Sequence, residues 1–182
     1  MLIVDDEESV ADTYEMQLDG RYETRVAYGG QEALDAIDGD VDAVLLDRRM
    51  PDIHGDEVLA TIRERGYDVP VVMTTAVDPD LNILEMDFDD YLCKPVFRET
   101  LLETLDQHLG RIDGEDARLD EFFSLVSKLS VLEEEKTRTE LEESERYRDL
   151  KARADELGQE LRGSIENFDE ILETHRAIER GT

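Results

Sequence analysis

Four short apolar runs, each followed at once by an acid, a hydroxyl or an ammonium, set the limits on what this chain can fold into. Leu2-Ile3-Val4, Val44-Leu45-Leu46 and Val71-Val72-Met73 are continuous rather than alternating, and Tyr91-Leu92 is a shorter version. Arg25-Val26-Ala27 is a weaker fifth candidate. Continuous apolar strands are buried on both faces, which is the pattern of a parallel sheet covered by helices. Segments of helical period lie between the runs. They carry Val10, Tyr14, Gln17 and Leu18, then Ala33, Leu34 and Ile37, then Val58, Leu59 and Ile62, and finally Leu101, Leu102, Leu105 and Leu109. The fold class expected over residues 1–110 is α/β, a doubly wound five-stranded parallel sheet.

Gly110 and Gly114 flank Arg111-Ile112-Asp113 and mark the expected domain boundary. Residues 111–182 contain no Pro and are rich in Glu, Leu and Arg, so this part is expected to be all helical. Leu119, Phe122, Val126 and Leu129 form a first apolar stripe. Glu133-Glu134-Glu135-Lys136 interrupts it, and Thr137-Arg138-Thr139-Glu140 reads as a capping box that starts a second helix. A longer, nearly heptad stripe follows through Tyr147, Leu150, Ala154, Leu157, Leu161, Ile165 or Ser164, Phe168, Ile171, His175 and Ile178. Gly158 and Gly163 interrupt it, and a kink or turn is expected near Gly163. The tail therefore reads as two or three helices packed as a hairpin or coiled coil.

Charge narrows the function classes. The chain of 182 residues holds 49 acidic and 20 basic residues, a formal net charge of −29. Such a field repels nucleic-acid phosphates and anionic lipid heads, which disfavours direct nucleic-acid binding and membrane docking. The acidity is spread along the whole chain, which suits a salt-rich cytoplasm where self-repulsion is screened. A single cysteine, Cys93, excludes an intramolecular disulfide and a multi-thiolate metal site. No apolar run reaches transmembrane length and no signal peptide opens the chain, so a cytoplasmic location is expected.

The chemistry lies where the strands end. In open α/β sheets, ligands bind at the carboxyl edge of the parallel strands. Asp5-Asp6-Glu7 follows the first run and Asp47 the second, Thr74-Thr75-Ala76 follows the third, and Cys93-Lys94-Pro95 follows the last. Three aspartates, a hydroxyl and an ammonium thus meet at one edge. Clustered carboxylates repel each other unless a cation relieves them, and a hard divalent ion such as Mg²⁺ accepts one or two carboxylates while keeping several waters. An aspartate can act as nucleophile and form an aspartyl phosphate. Lysine and a hydroxyl can hold the other phosphoryl oxygens.

These residues resemble a two-component response-regulator receiver domain. The likeness rests on Val4-Asp5-Asp6-Glu7, on Leu46-Asp47-Arg48-Arg49-Met50-Pro51-Asp52-Ile53-His54-Gly55, on Met73-Thr74-Thr75-Ala76 and on Asp89-Asp90-Tyr91-Leu92-Cys93-Lys94-Pro95. It covers about residues 1–110 and implies a flavodoxin-like sheet. It implies that Asp47 is the phosphoacceptor. Asp6 would bind Mg²⁺ directly, Asp5 would hold it through water, and Asp47 and the backbone carbonyl of Arg49 would complete the protein ligands. Thr75 and Lys94 would bind the phosphoryl group, and as a switch pair Thr75 would move on activation while Tyr91 rotates inward. The resemblance also implies a cis Lys94-Pro95 bond, the one kind of peptide that adopts cis cheaply.

Some features depart from that pattern. Only four residues precede Asp5, so the resemblance implies a first strand that is short or truncated. The stretch from Thr75 to Lys94 is short for the family, and Asp78-Pro79-Asp80-Leu81-Asn82-Ile83 is a poor helix. Asp87-Phe88 stands where small residues are common. The face around that missing helix often serves receivers as a dimer or output surface. The tail, in turn, resembles the HalX domain through Leu132-Glu133-Glu134-Glu135-Lys136, Glu140-Leu141-Glu142-Glu143-Ser144 and Tyr147.

The implied function is a phosphorylation-dependent response regulator and not an enzyme with a turnover substrate. A sensor histidine kinase would be its phosphoryl donor, and the helical domain would signal by protein contact, through a homodimer or an output protein. The alternative is a DNA-binding transcriptional regulator that reads DNA with residues 111–182; that segment has net charge −9 with no basic stripe. A phosphoester hydrolase fits less well, because no second acid is placed beside Asp47 as a general acid. Four further side chains are expected to be structural. His54 is an exposed loop residue, His108 favours a helix C-terminus, His175 packs on the apolar stripe and Cys93 is a small hydrophobe at a strand end.

Overall fold

The computed structural model describes residues 1–76, 79–109 and 117–179, with side chains over 118–173 in the last stretch. Its contacts divide the chain into two compact units. One takes its described residues from 1–77 and 86–110, the other from 78–85 and 111–182. The boundary glycines Gly110 and Gly114, and the His175 and Ile178 side chains, lie outside the described residues.

In the first unit, strands β1 (Leu2–Val4), β2 (Arg25–Ala27), β3 (Val44–Asp47), β4 (Val71–Thr75) and β5 (Asp90–Cys93) form one parallel sheet in the order β2-β1-β3-β4-β5. All five runs named from the sequence are therefore strands, including the weak one. Helices α1 (Glu8–Leu18), α2 (Gly30–Ala36), α3 (Gly55–Glu64) and α4 (Arg98–Leu109) follow β1, β2, β3 and β5. Side chains alternate across a strand, so one face carries Ile3, Leu45, Val72 and Leu92. These are buried in one cluster with Ala11, Tyr14 and Leu18 of α1 and Leu101 and Leu105 of α4. Helices α2 and α3 pack against each other. The side chain of Asp52 lies 3.2 and 3.1 Å from the free amides of Gly30 and Gln31 and caps α2 from a distant loop. Those amide donors hold the Asp52 carboxyl below its usual pKa.

The second unit contains α5 (Ala117–Glu135), α6 (Arg138–Glu143), α7 (Glu145–Ser164) and α8 (Phe168–Glu179). The expected capping box is present: Thr137 accepts from the Glu140 amide, and Glu140 accepts from the Thr137 amide at 2.9 Å. Ion pairs join Arg153 to Glu121 and Lys151 to Glu133, so α5 and α7 run antiparallel. Gly158 does not kink α7. A Cβ there would stand 3.1 Å from the Phe122 ring, so the glycine allows close packing of the two helices. The break falls after Ser164, near Gly163 as expected. Asn167 adopts φ 67 and restarts the chain in a new phase. That shift moves the buried position from the expected Ile171, which is exposed, to Leu172.

The connection between β4 and β5 is a one-turn 3₁₀ segment, Leu81–Glu85, in place of a full helix. This accords with the poor helical sequence there. It packs against α5 and α7 within the second unit.

Candidate phosphoacceptor site

Parallel pairing aligns the strand ends. Asp47 is in register with Thr74, and Thr75 with Cys93. Asp5 follows β1 directly, and Lys94 follows β5. The first, second and last runs named from sequence thus deliver side chains that touch. Lys94 Nζ donates to Asp5 Oδ2 at 2.6 Å and to Asp47 Oδ1 at 2.7 Å. The second Asp47 oxygen accepts from the Arg49 amide at 2.7 Å, and Asp5 Oδ1 accepts from the Glu7 amide at 3.1 Å. Every carboxylate oxygen of the pair therefore has a donor.

Burial sets the electrostatics. Asp5 is 1% exposed and Asp47 is 4%. Desolvation raises the Asp5 pKa, and the Lys94 ammonium only partly offsets it. Desolvation pulls the Lys94 pKa down, but its hydrogen bonds to Asp47 and Asp5 outweigh that and leave it raised. Lys94 is thus a firmly charged ammonium between two carboxylates. Tyr14, buried below them on α1, has its phenol pushed up to about 12, first by burial. Its pattern in sequence marked it only as a core residue.

The remaining site residues stand nearby on the same edge. Asp6 is half-buried at the start of the loop into α1, and Arg49 is exposed in the loop after β3. Thr75 is fully buried at the end of β4. Tyr91 is 3% exposed and packs on Phe88, their ring centroids 5.6 Å apart. The aromatic of the expected switch pair therefore sits inward. Lys94-Pro95 is cis. Gly55 is required by close approach: a Cβ there would stand 2.3 Å from the Asp47 carbonyl oxygen.

Among the described residues no three carboxylate, imidazole or thiol side chains converge as a finished metal-ligand set. The ammonium of Lys94 stands where Asp5 and Asp47 meet. The donor chemistry still suits Mg²⁺. Two buried carboxylates share a single ammonium, so the pair remains negative and consists of hard oxygens, and half-buried Asp6 follows Asp5 in the chain.

Several supporting residues were not recognised from sequence. His108 stands in the last turn of α4, as expected, but its side chain is only 6% exposed, with Nε2 3.1 Å from Asp90 Oδ2. Asp90 also accepts from the Tyr91 amide at 2.8 Å. Arg63 of α3 reaches Asp89 at 2.8 Å and the Val69 carbonyl at 2.8 Å, tying the sheet edge to its helix. Arg48 pairs with Asp56 at 3.0 Å. Only the concentration of charged residues next to strand ends could have pointed to these. Cys93 is exposed rather than packed, while His54 is exposed as expected.

A flavodoxin-like sheet whose edge joins an aspartate pair to the lysine of a cis Lys-Pro bond is the architecture of phosphorylation-dependent signalling switches. The chain belongs to the response regulator receiver domain family, whose model matches residues 1–106. A HalX domain follows over residues 111–180. Among solved structures it is similar to a CheY-like response regulator receiver domain protein from Methanospirillum hungatei JF-1. That match has 29% identity and a TM-score of 0.56, covering 60% of this chain and 91% of the other. It is also similar to the receiver domain of a sensor histidine kinase from Pseudomonas aeruginosa PAO1, solved with magnesium coordinated in the active-site cleft. There the identity is 28% and the TM-score 0.55, covering 60% of this chain and 96% of the other. A Haloferax volcanii protein named "Putative transcriptional regulator" is 45% identical over 174 residues, which is 95% of this chain. The chain spans 30% of that relative's length. A relative from a haloarchaeon fits the acidic, salt-adapted composition. No helix among the described residues is long and apolar enough to cross a membrane.

Proposed function

We propose that this chain is the switch of a His-Asp phosphorelay, with Asp47 as phosphoacceptor and a sensor histidine kinase as donor. The observation that carries the reading is the Lys94 ammonium held at 2.6 and 2.7 Å between buried Asp5 and Asp47. An Asp47 carboxylate oxygen attacks phosphorus, the phosphorus–nitrogen bond to the donor imidazole breaks, and that nitrogen leaves with the bonding pair. Lys94 then turns from an Asp47 oxygen to a phosphoryl oxygen, and Thr75 supplies a hydroxyl to another. Asp5, Asp6, Asp47 and the Arg49 carbonyl would hold Mg²⁺, which when bound supplies positive charge to the phosphoryl oxygens. Burial of the pair keeps water from competing for these contacts.

Thr75 and Tyr91 form the switch, and phosphorylation shifts a population between their arrangements. The domain boundary lies near residue 110, and residues 111–182 carry the output by protein contact, either with a second copy or with another protein. The name of the Haloferax relative points toward transcription, and contact with a DNA-bound partner would satisfy it without a basic surface on this chain. The test is acyl-phosphate formation from acetyl phosphate with Mg²⁺ in multimolar KCl. Asp47→Ala abolishes it; uptake by that variant at the wild-type rate would refute the assignment.

A further inference from the structure

The β4–β5 connection belongs to the wrong partner for a simple loop. By chain order it joins two neighbouring strands of the receiver sheet. By contact, its Leu81–Glu85 turn belongs to the helical unit, where it packs on α5 and α7. Ile83 is fully buried and Leu84 is 2% exposed, although the turn has too few residues to bury anything by itself. Leu81 lines a surface depression with Lys136, Glu140, Glu143 and Ser144, so the turn also borders α6.

The two ends of the turn matter equally. Thr75 closes β4 six residues before Leu81, and Tyr91 stands in β5 six residues after Glu85. The segment held by the helices is therefore tethered at both ends to the proposed switch pair. Six residues span at most about 20 Å, so the anchors limit how far the held turn can travel. On the Tyr91 side it is further pinned, because the Asp89 amide donates to the Val71 carbonyl at 3.0 Å and its carboxylate accepts from the Val71 amide at 2.7 Å.

We propose that the helical domain clamps the β4–β5 connection through Ile83 and Leu84, and so restrains the switch as well as carrying its output. This rests on the phosphoacceptor reading above. Tyr91 is inward while the helices hold the turn, so the clamp favours the activated arrangement of the switch. Coupling of this kind is reciprocal. Whatever the helices do to the affinity of the phosphoryl site, occupancy of that site does to the helices.

The experiment uses the full chain in multimolar KCl with Mg²⁺ and beryllofluoride as the phosphoryl mimic. Leu84→Ala empties part of the clamp, and Leu81→Asp sets a carboxylate beside Glu140 and Glu143 on its rim without touching the core. Each variant is expected to bind the mimic about threefold or more weakly than wild type, because the competent state is less populated. In wild type, adding the mimic is expected to slow amide exchange across 117–135 and 145–164. Wild-type binding with unchanged affinity in a folded Leu81→Asp variant overturns the clamp and leaves the phosphoacceptor reading standing. Unchanged exchange across those helices does the same. Failure of wild type to bind the mimic at all overturns both.

Discussion

Gly55→Ala tests the geometry of the site through its backbone. The added Cβ would lie 2.3 Å from the Asp47 carbonyl oxygen and 2.8 Å from the Arg48 Cα. An ordinary carbon–oxygen contact is about 3.3 Å, so the loop must open by about 1 Å. Both clashing atoms are backbone, and no side chain can rotate away to relieve them. Opening also stretches the Gly55 amide from the Arg48 carbonyl, now 2.9 Å apart. That hydrogen bond is worth about 1 kcal/mol, and overpacking against a fixed neighbour costs about 1–3 kcal/mol. Alanine recovers at most about 1 kcal/mol of helix propensity. The net loss is about 2 kcal/mol, or a fall of about 1 M in urea midpoint. Displacing Asp47 by a comparable distance should slow acyl-phosphate formation about 100-fold. The control is Gly39→Ala, where a Cβ meets nothing within 4 Å. It should stay within about 0.5 kcal/mol of wild type. If both variants unfold at the same urea concentration and react at the same rate, the close approach at Gly55 does not matter and the argument fails.

Three further outcomes follow from the same contacts. Lys94→Met leaves buried Asp5 and Asp47 without their ammonium and should cost about 3 kcal/mol near neutral pH, less in acid; a urea midpoint equal to wild type at pH 7 would contradict this. Thr137→Ala removes the capping box and should cost about 1 kcal/mol, read as faster amide exchange in 138–143; unchanged exchange would show that the cap does not hold α6. Burial raises the Asp89 pKa above 3.8 despite the Val71 amide and the Arg63 charge. Its stabilising contribution is thus full below that value and lost as pH rises through the folded pKa, so Asp89→Asn should gain on wild type from about pH 4 upward, and a shift in the opposite direction would reverse the assignment.

Most of the sheet was legible because a strand buried on both faces leaves a continuous apolar run, and the chemistry was legible because parallel strands deliver their last residues to one edge. Asp5, Asp47, Thr75 and Lys94 needed no more than that. The pairings behind them did not show. Arg63 and Asp89 are 26 residues apart, and with 49 acids in the chain no sequence spacing selects Asp89 over its neighbours. His108 is the helix-end residue its position indicates, but its partner did not show because Asp90 sits on another element. In the tail, the stripe through Leu161 followed a single helical phase. Phe168 is buried as that stripe expects, but the next buried position slips from Ile171 to Leu172, because the turn at Asn167 resets the phase. The allegiance of the Leu81–Glu85 turn was hidden for a similar reason. An apolar pair in a turn states that it will be buried but not in which core.

The placement of charge explains how so acidic a chain can fold and still keep a reactive aspartate. Among the described residues, each acid drawn inside has its own donors. Asp5 and Asp47 share Lys94, Asp89 has Arg63 and the Val71 amide, and Asp90 has His108 and the Tyr91 amide. Only four lysines serve the whole chain, and one of them is committed to the site. The excess acids face solvent, where salt shortens the reach of their repulsion from about 30 Å at 0.01 M to about 3 Å at 1 M. Buried pairs in direct contact are screened far less. High salt therefore relieves the surface that opposes folding while leaving the Lys94 contacts at nearly full strength. Composition and site are two parts of one arrangement: the solvent screens the outside, and named donors satisfy the acids inside.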